Sequence, residues 1–409
     1  MSPRSLRTRA AITFGRAAGW LSRVTGRGAG ATISGRVINA VAPDALHELG
    51  TGLRVALVSA TNGKTTTTRL LAAALEAEPA PVATNATGAN LTSGIAPVLA
   101  RATTPGVAVL EVDERVLPRV VDPLDAELLV LGNLSRDQLD RYGEVHAVGE
   151  AWRAVTDAHP DLRVVANASD PHVVWAALPA KTTWVALGLG WRNDAATCPN
   201  CAALLHWTED RFDCPTCGFA QPATPNRLED GALVLDGRRV PLRLQLPGSW
   251  NLANAALAVT AATTHFGVDP DRAAAAAATI TTVAGRYMSV PLGDGRSARV
   301  LLAKNPAGWT EVLRHLSRRA GSVVIAVNAR VADGKDPSWL WDVPYELLQQ
   351  STVAAAGERA LDVAVRLRYA GVEHIVERDA IAAAARLPGE DVHIVASYTQ
   401  FSAIYRRFG

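Results

Sequence analysis

The sequence predicts an α/β chain: a doubly wound parallel sheet with a phosphate-binding loop, an inserted four-cysteine zinc ribbon, and a second, smaller α/β domain. Three observations predict it. Short apolar, β-branched runs alternate with helical stretches, the pattern of parallel strands covered on both faces by their crossover helices. A Gly-Lys turn, Ala60-Thr-Asn-Gly-Lys-Thr65, closes one such run and opens a helix. Two Cys-x-x-Cys knuckles, Cys198-Pro-Asn-Cys201 and Cys214-Pro-Thr-Cys217, lie in a polar, Pro-rich stretch of about Ala195 to Pro225 that breaks the alternation.

Length and charge bound the function classes. At roughly 100–200 residues per domain, 409 residues allow two or three domains. Basic and acidic residues number 41 and 39, a net charge of +2, so there is no bulk polycation to coat nucleic acid. No apolar window approaches the roughly 18 uncharged residues of a membrane span. The arginine-studded start lacks the clean apolar run and small-residue cleavage site of a secretory signal. The expected setting is therefore cytoplasmic, where paired cysteines read as metal ligands rather than disulfides.

Residues 1–43 carry seven arginines, Arg4, Arg7, Arg9, Arg16, Arg23, Arg27 and Arg36, and no acid precedes Asp44. Ile12, Phe14, Leu21 and Val24 would form one apolar face of a helix interrupted near Gly19. Two readings stand: a solvated helix docked on the body, or a foot on an anionic membrane surface. Leu53–Ala60 then reads as a buried strand and Thr65 to about Glu78 as a helix; Val107–Val112, Leu128–Leu131 and Leu162–Ala166 read as further strands. Helices resume at Asn251–His265 and Asp271–Thr279. A Gly/Pro stretch at Pro291–Gly295 reads as a linker between a domain at 44–290 and another at 296–409, whose strands are Val323–Asn328, Val353–Ala356, Ile375–Val376 and Val392–Ala396.

A Gly-Lys-Thr turn between strand and helix is where backbone N–H groups and a helix N-terminus cradle phosphates. Thr61, Asn62, Gly63, Lys64, Thr65 and Thr66 are thus candidate ATP-binding residues, with Lys64 neutralising phosphate and the Thr65 hydroxyl on Mg²⁺. The usual pattern has a glycine where Val58 stands, so strand–loop–helix context carries the assignment. Leu110-Glu-Val-Asp-Glu114 ends a strand beside that loop; Glu111 is the candidate second Mg²⁺ ligand, the alternative being a helix-capping acid. Asn133 to Arg141 follows another strand and is placed to line the same cleft. Four thiolates, Cys198, Cys201, Cys214 and Cys217, fill a tetrahedral Zn²⁺ shell with no position left for a reactive water, so the zinc is expected to be structural. Asp336-Pro-Ser-Trp-Leu-Trp-Asp342 reads as a contact surface or as an aromatic-capped turn.

Together, Thr61–Thr65, Asn251-Leu-Ala-Asn254 and Gly285-Arg286 resemble the central domain of the Mur ligases. The four-cysteine insert, Ala303-Lys-Asn-Pro-Ala-Gly308 and the Asp336–Asp342 segment resemble the MurT-type subunits of lipid II isoglutaminyl synthases, from about residue 10 to the end. The resemblance implies a Rossmann-like C-terminal domain. It also implies ATP-dependent phosphorylation of the D-Glu α-carboxylate in the lipid II stem peptide, followed by amidation with ammonia from a GatD-type glutaminase. By carry-over, Lys64 and Thr65 handle phosphates and Mg²⁺ with Glu111, Asn251 approaches the adenine, Arg286 the ribose or phosphates, and Asp336 completes the partner's Cys-His pair; whether Asp342 or Asp333 shares that last role is left open by the sequence. Two departures stand out: Ala60 replaces a common glycine, and Gln138 takes the place of a metal-binding histidine. A stand-alone Mur- or folylpolyglutamate-like amino-acid ligase is the alternative, and a nucleic-acid-binding ribbon protein a more distant one, disfavoured by the near-neutral charge.

Overall fold

Val55 to Val58 carry no polar side chain, and the strand they form, Leu53–Ser59 (β1), is buried from Val55 onward. It lies between two equally apolar parallel neighbours, Gly106–Glu111 (β3) and Leu128–Leu131 (β4). Val82–Thr84 (β2), Arg163–Asn167 (β5) and Lys181–Val185 (β6) complete an all-parallel sheet of order β2-β3-β1-β4-β5-β6. After β3 the chain crosses to the other side of β1. The carboxyl end of β1 is therefore the topological switch point, where open α/β sheets form their ligand crevice.

The computed structural model describes residues 4–408 except 26–29, 79, 86–87, 138–144, 189, 210, 283–286, 294 and 319–320. The chain divides into two compact units, Met1–Leu134 with Val145–Thr281, and Ser135–Glu144 with Thr282–Gly409. Among the described residues no helix is long and apolar enough to cross a membrane.

The Arg-rich start belongs to the first unit. Its helix Leu6–Val24, capped by the Ser5 side chain, lies against Ala31–Val41 through small residues. A Cβ on Gly15 would sit 2.8 Å from the Ser34 carbonyl oxygen, and one on Gly19 2.9 Å from that of Gly30. Ala11, Ile12 and Ile38 join the same core as Val55 and Leu57. Two expectations are corrected here. The helix runs unbroken through Gly19, because that glycine is a packing position rather than a break. Of the expected apolar face only Ile12 points inward; Phe14, Leu21 and Val24 are exposed, because close helix packing selects the small residues for the inner side.

Beyond β6 come a short hairpin, His206–Trp207 (β7) with Phe212–Asp213 (β8), and an antiparallel sheet of Arg227–Glu229 (β9), Ala232–Leu235 (β10) and Arg238–Pro241 (β11). Its two reversals are Asp230-Gly231 and Asp236-Gly237, with positive φ at all four residues, the two-residue turn that matches strand twist.

In the second unit Tyr287–Gly293 (β12) and Arg296–Leu302 (β13) form an antiparallel hairpin. The stretch read as a linker is thus the reversal of this hairpin, its glycines serving a turn inside one sheet. β13 continues through parallel Asp391–Ala396 (β17), Ser322–Ala326 (β14), Thr352–Ala356 (β15) and His374–Val376 (β16), in the order β12-β13-β17-β14-β15-β16. Val300, Val324, Ala354 and Ile394 form its core with flanking helices.

Candidate active site

The loop leaving β1 is held from both sides. Thr61 N–H donates to the Asn133 carbonyl oxygen at 2.8 Å, and Asn62 N–H to Asn133 Oδ1 at 3.0 Å; Asn133 Nδ2 returns a bond to the Asn62 carbonyl oxygen at 2.8 Å. Gly63 has φ +86°, and a Cβ there would lie 2.3 Å from Asn254 Oδ1. The position therefore excludes every side chain, both by conformation and by space. Ala60 is accommodated because Gly132 faces it: a Cβ on Gly132 would approach the Ala60 methyl to 2.8 Å.

The helix Lys64–Glu76 starts at this glycine, which has no side chain to cap it. Thr65 and Thr66 are buried in its first turn, where aligned N–H groups favour an anion. Lys64 is 7% exposed. Its Nζ donates to the Ala60 carbonyl oxygen, to that of Thr61 at 3.2 Å and to Glu114 Oε2 at 2.8 Å. The ammonium is thus folded over the loop that would hold phosphate.

Glu111 ends β3 in register with Val58 and is 1% exposed. Asn85 exchanges both backbone bonds with it, donating from Nδ2 to its carbonyl oxygen at 2.8 Å and accepting from its N–H at 2.7 Å. Asn90 Nδ2 donates to Oε1 at 3.4 Å, while Oε2 is buried with no hydrogen-bond partner among the described residues. An uncompensated buried carboxylate oxygen is costly, and a divalent cation is the partner that offsets it, so the residues present fit Mg²⁺. Burial, reinforced by the neighbouring Glu114, pushes the Asp113 carboxyl up from its ordinary range.

Asn251, buried at the start of the helix Ser249–Phe266, donates to the Pro247 carbonyl oxygen at 2.6 Å and accepts from Asn254 Nδ2 at 3.3 Å. The Asn251–Asn254 pair therefore reaches the loop at Gly63. Gln138, Asp140, Arg141, Gly285 and Arg286 lie outside the described residues.

The four cysteine Sγ atoms lie within 4.8 Å of one another, with Cys198–Cys217 at 3.7 Å and Cys201–Cys214 at 3.5 Å. Ligands about 2.3 Å from a tetrahedral Zn²⁺ stand about 3.8 Å apart, so the set fits that ion. Both knuckles are built alike. Cys198 N–H donates to the Ala203 carbonyl oxygen and Cys214 N–H to that of Phe219, with positive φ at Ala202 and Gly218. Phe212, Phe219 and Leu205 pack beneath.

In the second unit the three candidate acids have different surroundings. Asp336 is exposed before the short helix Ser338–Asp342; it accepts from Ser338 N–H at 2.9 Å and Ser338 Oγ at 2.8 Å, bonds that hold its carboxyl below the usual range. Asp333 is buried, accepting from Thr399 N–H at 2.7 Å, the Thr399 hydroxyl and Arg330 N–H at 3.1 Å. Asp342 pairs with Arg136 at 3.3 Å. Trp339 packs on buried Trp309, their ring centroids 5.9 Å apart, whereas Trp341 is 55% exposed beside Tyr369 at 5.3 Å.

Sequence reasoning missed Asn85, Asn90, Asn133 as a clasp, and Glu114 as the partner of Lys64. Only the placement of Asn133 and Glu114 after strand ends signalled them.

A Gly-Lys-Thr loop at the switch point of a parallel sheet, with a buried carboxylate at the next strand end, defines a nucleotide-binding α/β protein of the P-loop class. Residues 58–262 match the Mur ligase middle domain model and residues 302–401 the MurT ligase C-terminal model. The chain is 31% identical over 404 residues to the lipid II isoglutaminyl synthase (glutamine-hydrolyzing) subunit MurT of Staphylococcus aureus, covering 92% of this chain and 91% of that protein. It is 29% identical over 401 residues to the corresponding subunit of Streptococcus pneumoniae, covering 90% and 88%. In fold it is similar to a pseudomurein peptide ligase type C from Methanothermus fervidus, with TM-score 0.70 and 18% identity over 91% of this chain and 83% of that one. The chain belongs to the Mur ligase family, in its MurT branch, and is a ligase.

Proposed function

We propose that this chain is the synthetase subunit of a complex that amidates the α-carboxylate of D-Glu in the lipid II stem peptide to D-isoglutamine. The observation that carries the reading is the near-full-length likeness to two relatives named as MurT subunits of lipid II isoglutaminyl synthase. The partner is a GatD-type glutaminase, and the reaction takes place in the cytoplasm, at the inner face of the membrane that holds the lipid substrate.

A carboxylate is a poor acyl donor because its oxygen leaves badly. In the first step that oxygen attacks the γ-phosphorus of ATP, the bond to the β-phosphate oxygen breaks, and ADP departs. In the second, neutral ammonia attacks the acyl carbon, phosphate leaves with the C–O bond electrons, and the nitrogen loses a proton. The backbone at Gly63 to Thr66 holds the β- and γ-phosphates, and Lys64 offsets charge on the transferring phosphoryl group. Thr65 and the Glu111 carboxylate would hold Mg²⁺, which would supply electrostatic stabilisation of the phosphates. Asn251 and Arg286 serve the nucleoside and phosphates. Cys198, Cys201, Cys214 and Cys217 would hold a structural zinc that keeps the ribbon folded.

Asp336 is the acid offered to the partner's Cys-His pair, orienting the imidazole and stabilising its cation. Its exposure, together with Trp341 and Tyr369 on the same unit, supports a contact surface; Asp333 and Asp342 are engaged elsewhere. The test is co-purification with a co-expressed glutaminase. Lys64→Ala abolishes ATP-dependent amidation while zinc content and partner retention survive; unchanged turnover removes the nucleotide assignment.

A further inference from the structure

The outer side of the first helix is built unlike a solvated surface. Projecting Leu6–Val24 at 3.6 residues per turn places Trp20, Thr13, Leu6, Val24, Ala17, Ala10, Leu21 and Phe14 in one stripe spanning roughly 120°. That stripe lies opposite the packed side formed by Thr8, Ala11, Ile12, Gly15, Gly19 and Ser22. Its large members are exposed, Leu6 at 82%, Val24 at 64%, Phe14 at 61%, Trp20 at 59% and Leu21 at 56%. One border is a row of exposed arginines at seven-residue intervals, Arg9, Arg16 and Arg23, and no acidic residue occurs before Asp44. The inner side is fixed by glycine packing, so the stripe cannot turn inward without driving Cβ atoms into the neighbouring backbone.

We infer that this helix lies in the surface of an anionic lipid bilayer, with Trp20, Leu21, Phe14 and Leu6 inserted among the acyl chains and Arg9, Arg16 and Arg23 at the headgroups. Both halves of the helix argue for that occupant. An apolar stripe gains little from a nucleic-acid backbone, and an all-cationic border repels a second copy of itself, whereas a bilayer interface takes large apolar side chains and cations together. The helix lies on the membrane and does not span it. The inference stands without the ligase reading, because it concerns a surface apart from the nucleotide loop.

The test uses the full chain with vesicles of pure phosphatidylcholine and of phosphatidylcholine mixed with phosphatidylglycerol, read by co-sedimentation and by tryptophan fluorescence. The chain partitions to the mixed vesicles, with a blue-shifted emission, and is released by salt. Combining Arg9→Gln, Arg16→Gln and Arg23→Gln weakens partitioning by about a hundredfold, roughly a factor of five per charge. Phe14→Glu with Trp20→Glu abolishes it, while zinc content and circular dichroism stay unchanged, since both side chains lie outside the core. No partitioning of the folded chain, or partitioning indifferent to either set of substitutions, overturns the inference. So does a self-associated species, or a partner-bound complex, that only the Phe14→Glu, Trp20→Glu variant disrupts.

Discussion

Gly63 is the residue on which the loop geometry turns. It combines a left-handed backbone with an Asn254 oxygen occupying the space of a side chain. Gly63→Ala is therefore expected to destabilise the first unit by about 2 kcal/mol, from the left-handed conformation and the displaced asparagine, and to weaken ATP binding; urea unfolding and nucleotide titration measure the two effects. Adding Asn254→Ala relieves the collision but leaves the backbone strain, so the double variant recovers part of the stability and little of the affinity. The second unit offers a similar contrast between two acids. Asp336→Asn is expected to stop glutamine hydrolysis in the complex yet leave amidation from free ammonium largely intact. Asp333→Asn unpairs partly buried donors at Arg330 and Thr399 and is expected to cost about 1 kcal/mol of stability, lowering both activities together.

Among the elements, the ribbon is the one that would depend on a group outside the chain, the metal ion its four cysteines fit. Its strands are two residues each and its core a few aromatic rings, too little to order it alone. Cys214→Ser is expected to lose zinc and expose residues 195–220 to protease, with the parallel sheet and ATP binding retained; metal analysis and limited proteolysis check both. The elements also show what the sequence disclosed. β1, β3 and β4 were legible because strands buried on both faces leave uninterrupted apolar runs. The ribbon was legible because paired Cys-x-x-Cys knuckles have the spacing a tetrahedral metal site requires, and the four thiols do converge. β9 to β11 lie between the expected insertion and the next helix and went unread although Asp230-Gly231 and Asp236-Gly237 are strong turn signals, since strands of three or four residues carry little periodicity. The hairpin β12–β13 was misread because Pro and Gly serve turns and linkers alike. In the first helix, hydrophobicity pointed to the wrong face: close packing selected glycine and serine, which no apolar pattern reveals. In the site itself, Lys64 and Glu111 stood out by motif and strand end, but the asparagines around them act through tertiary contacts that no local spacing encodes.

At the scale of the molecule, two α/β units divide the work proposed for the chain: one grips nucleotide and cation, the other presents an acid and exposed aromatic rings to a second protein. In the proposed reading, that second protein delivers ammonia as the nucleophile. The most direct measurement is mass analysis of a lipid II stem peptide incubated with this chain, the glutaminase, ATP, Mg²⁺ and glutamine. Conversion of one stem carboxyl to a carboxamide, dependent on ATP, supported equally by ammonium and absent with Lys64→Ala, is the predicted result. A stem that gains an amino-acid residue, or is amidated without ATP, contradicts the account.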